Sequence, residues 1–305
     1  MILILLLAGC GTIAPKPQDS GKISVVATVF APYDFTRAIA GDLVDLTMLL
    51  PPAAESHSFE PTPRDITKIQ QCDVFLYVGG DSDAWVGSIL ESFDTSKMKI
   101  ITLMDCVEAV PEELLPGMEE EEEAEEEGEA ELDEHVWTSP RNAKLIVQKI
   151  ADALCAADAA NANAYRQNTQ TYLAQLDALD AKFQAVADTA VRKTVVFGDR
   201  FPFRYFADAY GLECFAAFPG CSTETEPSAN TVKFLIDKIK SEKLPVVFHI
   251  ELSNEAMADT IAEATGAKVL LLHACHNITL ADFNAGRTYL DIMNDNVTAL
   301  KEALN

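Results

Sequence analysis

Ala159-Ala-Asn-Ala-Asn-Ala-Tyr165-Arg-Gln-Asn-Thr-Gln-Thr-Tyr172-Leu-Ala-Gln-Leu176-Asp-Ala-Leu179-Asp-Ala-Lys-Phe183-Gln-Ala-Val-Ala-Asp-Thr-Ala190 contains no Gly or Pro. Tyr165, Tyr172, Leu173, Leu176, Leu179 and Phe183 recur on related faces of a helical repeat. One helix of this length reaches roughly 45 Å, more than a small domain needs. It is expected to bridge two bodies.

The residues on either side repeat one rhythm. Before the helix, apolar runs at 23–29, 44–50, 73–78 and 99–103 read as strands, with helical stretches at 30–40, 63–71, 85–93 and 140–156. After it, strands are expected at 194–197, 213–217, 245–249 and 268–272, and helices at 203–210, 230–241, 254–265 and 289–304. Thr62-Pro63 with Asp65 forms an N-cap, first-turn and dipole pattern. Gly211 and Gly266 stand where helices should stop. Alternating strands and helices predict an α/β fold. It consists of two similar lobes, each a parallel sheet flanked by helices, joined by one long rigid helix. The expected divisions are a leader and tether at 1–21, a first lobe at 22–158, the connecting helix at 159–190 and a second lobe at 191–305. A ligand should sit in the cleft between lobes.

The chain has 305 residues, 49% of them apolar, and a formal net charge of -25. That charge argues against nucleic-acid binding, which needs basic faces. Much of it is local: twelve carboxylates and no basic residue lie between Glu119 and Glu134. The segment 118–134 reads as a solvated surface loop whose field weakly gathers cations. At the N-terminus, Leu7-Ala8-Gly9-Cys10 ends an apolar run too short to span a bilayer. It resembles a lipobox, with Cys10 as the lipidated residue, followed by a tether rich in Pro, Ser and Lys. An exported, membrane-anchored location permits disulfides, and Cys221 with Cys275 is the expected pair. No Cys-x-x-Cys spacing occurs.

Only five histidines occur, His57, His135, His249, His273 and His276. Most lie at the ends of apolar runs, where α/β sheets bind ligands. His249 and His276 read as structural, each bonding its own surroundings. The stretches His57-Ser-Phe-Glu60-Pro-Thr-Pro, Asp-Glu-His135-Val-Trp-Thr-Ser-Pro, Ser222-Thr-Glu224-Thr-Glu-Pro-Ser and Gly266-Ala-Lys-Val occur in that order. Together they resemble the cluster A-I substrate-binding proteins, the zinc and manganese receptors of bacterial ABC importers. The resemblance runs from about Val25 to the C-terminus. It implies lipid anchoring, a metal ion held between lobes and a membrane permease as partner, with no bond made or broken; a monomer is expected.

The resemblance implies His57 and His135 as ligands from the first lobe. At the family's third ligand position stands Arg200, which has no lone pair for a metal; Asp199 is adjacent. At the fourth, usually an Asp, stands His273. Three imidazoles suit Zn²⁺ better than Mn²⁺, which prefers oxygen-rich shells. Glu251 is the favoured further ligand, with Asp199, Glu224, Glu226 and water as alternatives. Glu60 is expected to support the His57 imidazole. Other readings are a Mn²⁺ or Fe²⁺ receptor, a zinc-dependent hydrolase and an adhesion lipoprotein. Against the hydrolase, the chain has no His-Glu-x-x-His motif.

Overall fold

The computed structural model describes residues 21–55, 58–118, 131–221 and 227–305. The first lobe comprises β1 (Ser24–Ala27), α1 (Phe30–Ala40), β2 (Asp45–Met48), α2 (Pro63–Gln71), β3 (Val74–Tyr77), α3 (Ala84–Glu91), β4 (Lys99–Thr102) and α4 (Pro140–Ala157). Helix α5 (Ala162–Thr189) leads into the second lobe. There follow β5 (Thr194–Phe201), α6 (Arg204–Tyr210), β6 (Glu213–Pro219), α7 (Ala229–Glu242), β7 (Val246–His249), α8 (Ala256–Thr265), β8 (Lys268–Leu271), α9 (Leu280–Asn284) and α10 (Tyr289–Leu304).

Each lobe has a four-stranded sheet, ordered β2-β1-β3-β4 in the first and β6-β5-β7-β8 in the second. Every strand pair in both is parallel. The expected α/β fold with two like lobes is therefore observed. In each sheet the chain reverses its direction of winding beside its first strand. That is the switch point at which α/β sheets open a crevice beyond their carboxyl ends.

The helix boundaries follow local chemistry. Thr62 and Asp65 form a reciprocal capping box at the start of α2, where Pro63 needs no N–H partner. Thr288 and Asp291 form the same device on α10. Gly211 and Gly266 take left-handed conformations that end α6 and α8.

One difference from the sequence reading matters for the site. Strand β5 does not stop at Phe197 but continues through Gly198 to Phe201, with a register shift between Phe197 and Arg200. Gly198 reads as a break, yet it is there for close packing: a Cβ would lie 2.6 Å from the Ala258 Cα. The extension carries Arg200 to the sheet's carboxyl end, opposite Phe218.

The inner sheet faces share one apolar core with helices α1, α4, α5 and α10, from Val25 and Phe35 to Phe183, Phe197 and Tyr289. Smaller clusters cover the outer faces, around Ile69 and Phe75 in the first lobe and Leu235 and Val247 in the second. Helix α5 is thus a shared spine more than a tether. Burial of this kind contributes about 25 cal/mol per Å² of apolar surface, so the lobes are energetically coupled through their common core. Among the described residues no helix is long and apolar enough to cross a membrane.

Candidate metal centre between the lobes

A narrow cleft opens between the carboxyl ends of the two sheets. The first lobe lines it with Ala54, Glu55 and His135, and the second with Arg200, Gly220, residues 250–253, Ala274, His276 and Asn277. A smaller recess at the first lobe's switch point is lined by Thr28, Val78, Asp83 and again His276.

His135 is fully buried. Its Nδ1 lies 3.1 Å from Asp133 Oδ1, and its backbone N–H donates to the same oxygen at 2.8 Å. An ionised carboxylate there favours the proton on Nδ1, which puts the ring lone pair on Nε2. This is the usual arrangement behind a metal-ligating imidazole. Burial pulls the His135 pKa down, but the carboxylates of Asp133, Glu134 and Glu112 together outweigh it and the net shift is upward. Tyr205 Oη braces the support by donating to the Asp133 carbonyl at 2.7 Å. Gly220 leaves room for the ring: a Cβ there would sit 3.2 Å from His135 Cε1.

Asp133 and Glu134 close the acidic tract, yet each is only 1% exposed. The solvated-loop reading through residue 134 is thus corrected at its end. Backbone bonds from Glu112 N–H to Glu131 O and from Asp133 N–H to Val110 O pull the end of the tract into the body. Glu134 Oε1 accepts the Ser82 N–H at 2.8 Å. Its side chain lies where a Cβ on Gly80 would be. Nearby, Asp83 accepts the Val78 N–H at 2.6 Å, and burial raises its pKa to about 6.

The second lobe contributes through the segment 272–279. The His276 ring meets His135 edge to face, with centroids 5.2 Å apart. The Trp137 indole flanks both rings, at 5.8 Å from His135 and 5.0 Å from His276. Its Nε1 donates to the Ala274 carbonyl at 2.8 Å. Glu251 holds the same turn, its two oxygens accepting the Ala274 and His276 N–H groups at 2.6 and 2.9 Å. Cys275, at the centre of the turn, has φ +60, and Leu252 on the facing loop has φ +61. A left-handed conformation costs a non-glycine residue roughly 1–2 kcal/mol, and such strain gathers at functional sites.

This segment is fastened to the other lobe. His276 O accepts the Phe30 N–H at 3.1 Å, and Ala53 N–H donates to Ile278 O at 2.8 Å. Asn277 Nδ2 donates to Pro51 O and Ala54 O, each at 2.8 Å. Both acceptors lie on the loop that leads to position 57.

Several expectations are corrected. His273 does not line the cavity. Its Nδ1 accepts the Cys275 N–H at 2.9 Å, so the ring closes its own turn, and burial lowers its pKa. His276, read from sequence as structural, takes the place facing His135. Asp199 is turned to the backbone, accepting the Arg200 N–H at 2.8 Å and the Ile250 N–H at 3.0 Å. Glu251 borders the cavity but braces the turn. Glu60 is exposed and its expected partner His57 lies outside the described residues; at His135 the supporting part is played by Asp133. Cys221 and Cys275 are free thiols in different surroundings, with Cys221 near Glu112 and Glu134 and Cys275 near Asp34 and Glu251. The expected disulfide is therefore absent between them. His249 stays structural, with Nδ1 3.1 Å from Ile250 O. Cys10, His57, Glu224 and Glu226 lie outside the described residues.

Two parallel-sheet lobes share a helical spine and meet at an imidazole-lined cleft. The chain belongs to the family described as zinc-uptake complex component A, periplasmic, which it matches over residues 25–303. It is 32% identical to the zinc-binding lipoprotein AdcA of Streptococcus pneumoniae serotype 4, over 98% of this chain and 58% of AdcA. The chain thus spans little more than half of that relative. It is also 32% identical to the high-affinity zinc uptake system protein ZnuA of Bacillus subtilis, over 98% of this chain and 94% of ZnuA. The crystal structure of the Zn(II)-bound ZnuA-like domain of S. pneumoniae AdcA superposes with a TM-score of 0.76 at 30% identity, covering 93% of this chain and 99% of the other.

Proposed function

We propose that this chain is an extracytoplasmic zinc receptor. It is held at the membrane through Cys10, takes Zn²⁺ from solution into the interlobe cleft, and passes it to an ABC-importer permease. The observation that carries the reading is the meeting of His135 and His276 in one buried cavity, one from each lobe. Asp133 behind His135 supports it further. His57, the ligand expected from its sequence motif, is the third imidazole of this reading. Imidazole-rich sites favour Zn²⁺ over Mn²⁺, so Zn²⁺ is the cargo and Mn²⁺ the weaker competitor. The relatives' names, which describe zinc binding and uptake, agree with this assignment.

Calorimetric titration of chelator-stripped full chain tests the reading. One Zn²⁺ per chain is expected, displaced poorly by Mn²⁺, with binding strongly weakened by His135→Ala and by His276→Ala. Unchanged zinc affinity in both variants would refute the assignment.

A further inference from the structure

Carboxylates surround the cleft, and most of them are matched by donors. Asp133 serves both the backbone N–H and the ring of His135. Glu251 gives both oxygens to backbone N–H groups of the turn that carries His276. Glu112 accepts the Cys221 N–H at 3.1 Å. Glu55 faces the Arg200 guanidinium at 3.5 Å, and its side chain is 45% exposed, so water screens its charge. Glu134 is different. It is 1% exposed, and Oε1 accepts the Ser82 N–H, but among the described residues Oε2 has no hydrogen-bond partner.

The fold holds this group close behind a candidate ligand. Glu134 directly precedes His135, and consecutive Cα atoms lie about 3.8 Å apart. Its side chain packs against Gly80, at φ +72, where any Cβ would collide with it. Its charge is felt around it. Burial pushes the Cys221 thiol up, and Glu134 is the largest of the charges that add to that shift. Burial also raises the pKa of Asp83, and Glu134 adds to it. Asp83 in turn lines the switch-point recess together with His276.

An ionised carboxylate taken out of water and short of donors destabilises a fold. A second buried carboxylate nearby adds repulsion. A divalent cation on His135 reverses that balance. Neutral imidazoles leave the whole charge of Zn²⁺ unmatched, and in a water-poor interior a buried anion attracts it more strongly than a solvated one does. We propose that Glu134 is an affinity-determining residue: its buried carboxylate is under-compensated in the metal-free protein and is balanced by the captured Zn²⁺. The inference rests on the zinc-receptor reading. It gives Glu134 no bond to the ion; the group acts through its charge, from behind the His135 ring. The metal-free fold is less stable for it, and binding restores the difference.

Two variants separate charge from shape. Glu134→Gln keeps the side-chain length and an oxygen for the Ser82 N–H, but removes the charge and its repulsion of Asp83. Glu134→Asp keeps the charge and loses the fit. Each full chain, stripped of metal, is measured by thermal unfolding and by zinc titration calorimetry. Glu134→Gln is expected to melt about 2–4 °C above the wild type without metal, yet to bind zinc about 10–100-fold more weakly. Glu134→Asp is expected to melt below the wild type while keeping most of its zinc affinity. A merely structural part for Glu134 would not move stability and affinity in opposite directions. If Glu134→Gln melts no higher than the wild type, or binds zinc as tightly, the inference is overturned, and wild-type zinc binding in the same series leaves the receptor reading standing. If the wild type itself binds no zinc, the receptor reading falls, and this inference with it.

Discussion

The two lobes repeat one strand order, yet they present their imidazoles in opposite ways. In the first lobe, His135 is braced by its chain neighbour Asp133, whose carboxylate bonds the ring and whose carbonyl accepts the Tyr205 hydroxyl of the second lobe. In the second, His276 sits on a strained turn whose brace Glu251 is local but whose anchors lie across the cleft, at Phe30 and, through Asn277, at residues 51 and 54. One lobe tunes its imidazole electrostatically, and the other has its imidazole placed by its partner. A repeated fold therefore does not imply a repeated way of building a site.

The sharpest test of this contrast compares three alanine variants. His135→Ala and His276→Ala are each expected to weaken zinc binding about 1000-fold, since structural zinc affinity is shared among only a few ligands. His273→Ala should cost less than about tenfold, because that ring supports the turn indirectly. Equal losses at His273 and His276 in calorimetry would erase the distinction between ligand and turn support.

The second test uses pH. The folded pKa of Asp83, about 6, lies above the ordinary aspartate value of 3.8 because burial disfavours its charge. The native state therefore holds the extra proton between those values. The group's stabilising contribution is full below pH 3.8 and is lost as pH rises through 6. Over that window the loss amounts to about 3 kcal/mol. Asp83→Asn should remove this slope, seen as the wild type losing about 3 kcal/mol of urea-unfolding free energy relative to the variant from pH 4 to pH 7. A gap that does not change with pH would rule out the buried carboxylate as its source.

Smaller effects separate the two kinds of support. Asp133→Asn is expected to lower zinc affinity about 10–100-fold and to lower the His135 imidazole pKa in an NMR titration. A variant with unchanged affinity would show that the first lobe's electrostatic brace does not matter to the metal. Asn277→Ala, which leaves two carbonyls without their donor, should cost about 1–3 kcal/mol in stability. It should also weaken zinc binding by less than Asp133→Asn does. Zinc binding lost with no change in melting temperature would contradict a purely positional part for Asn277.

The sequence made the architecture readable because strand and helix periods alternate cleanly on both sides of an uninterrupted helix. His135 was readable because its neighbours form a distinctive run. Asp133 lay in plain view two residues earlier, a spacing that lets one carboxylate reach both the backbone N–H and the ring of the histidine. The choice between His273 and His276 was not readable. Both follow the same strand, and which one faces the cleft depends on the left-handed conformation of Cys275, which nothing local announces. Arg200 stands out in the sequence as an anomaly at a ligand position, but its place at the cleft follows from the continuation of β5 past Gly198, where α8 packs against the backbone.

Trp137 has a practical consequence. The chain has only two tryptophans, and the other, Trp85, packs near Phe59 at 6.1 Å on the outer face of the first lobe. Trp137 is wedged against both cleft imidazoles and tied by its indole N–H to the turn that carries one of them. A cation arriving there changes the electric field across that ring at once. With Trp85 replaced by Phe, the emission of the remaining indole is expected to report the proposed cleft occupancy without a label, which zinc titration of that variant checks.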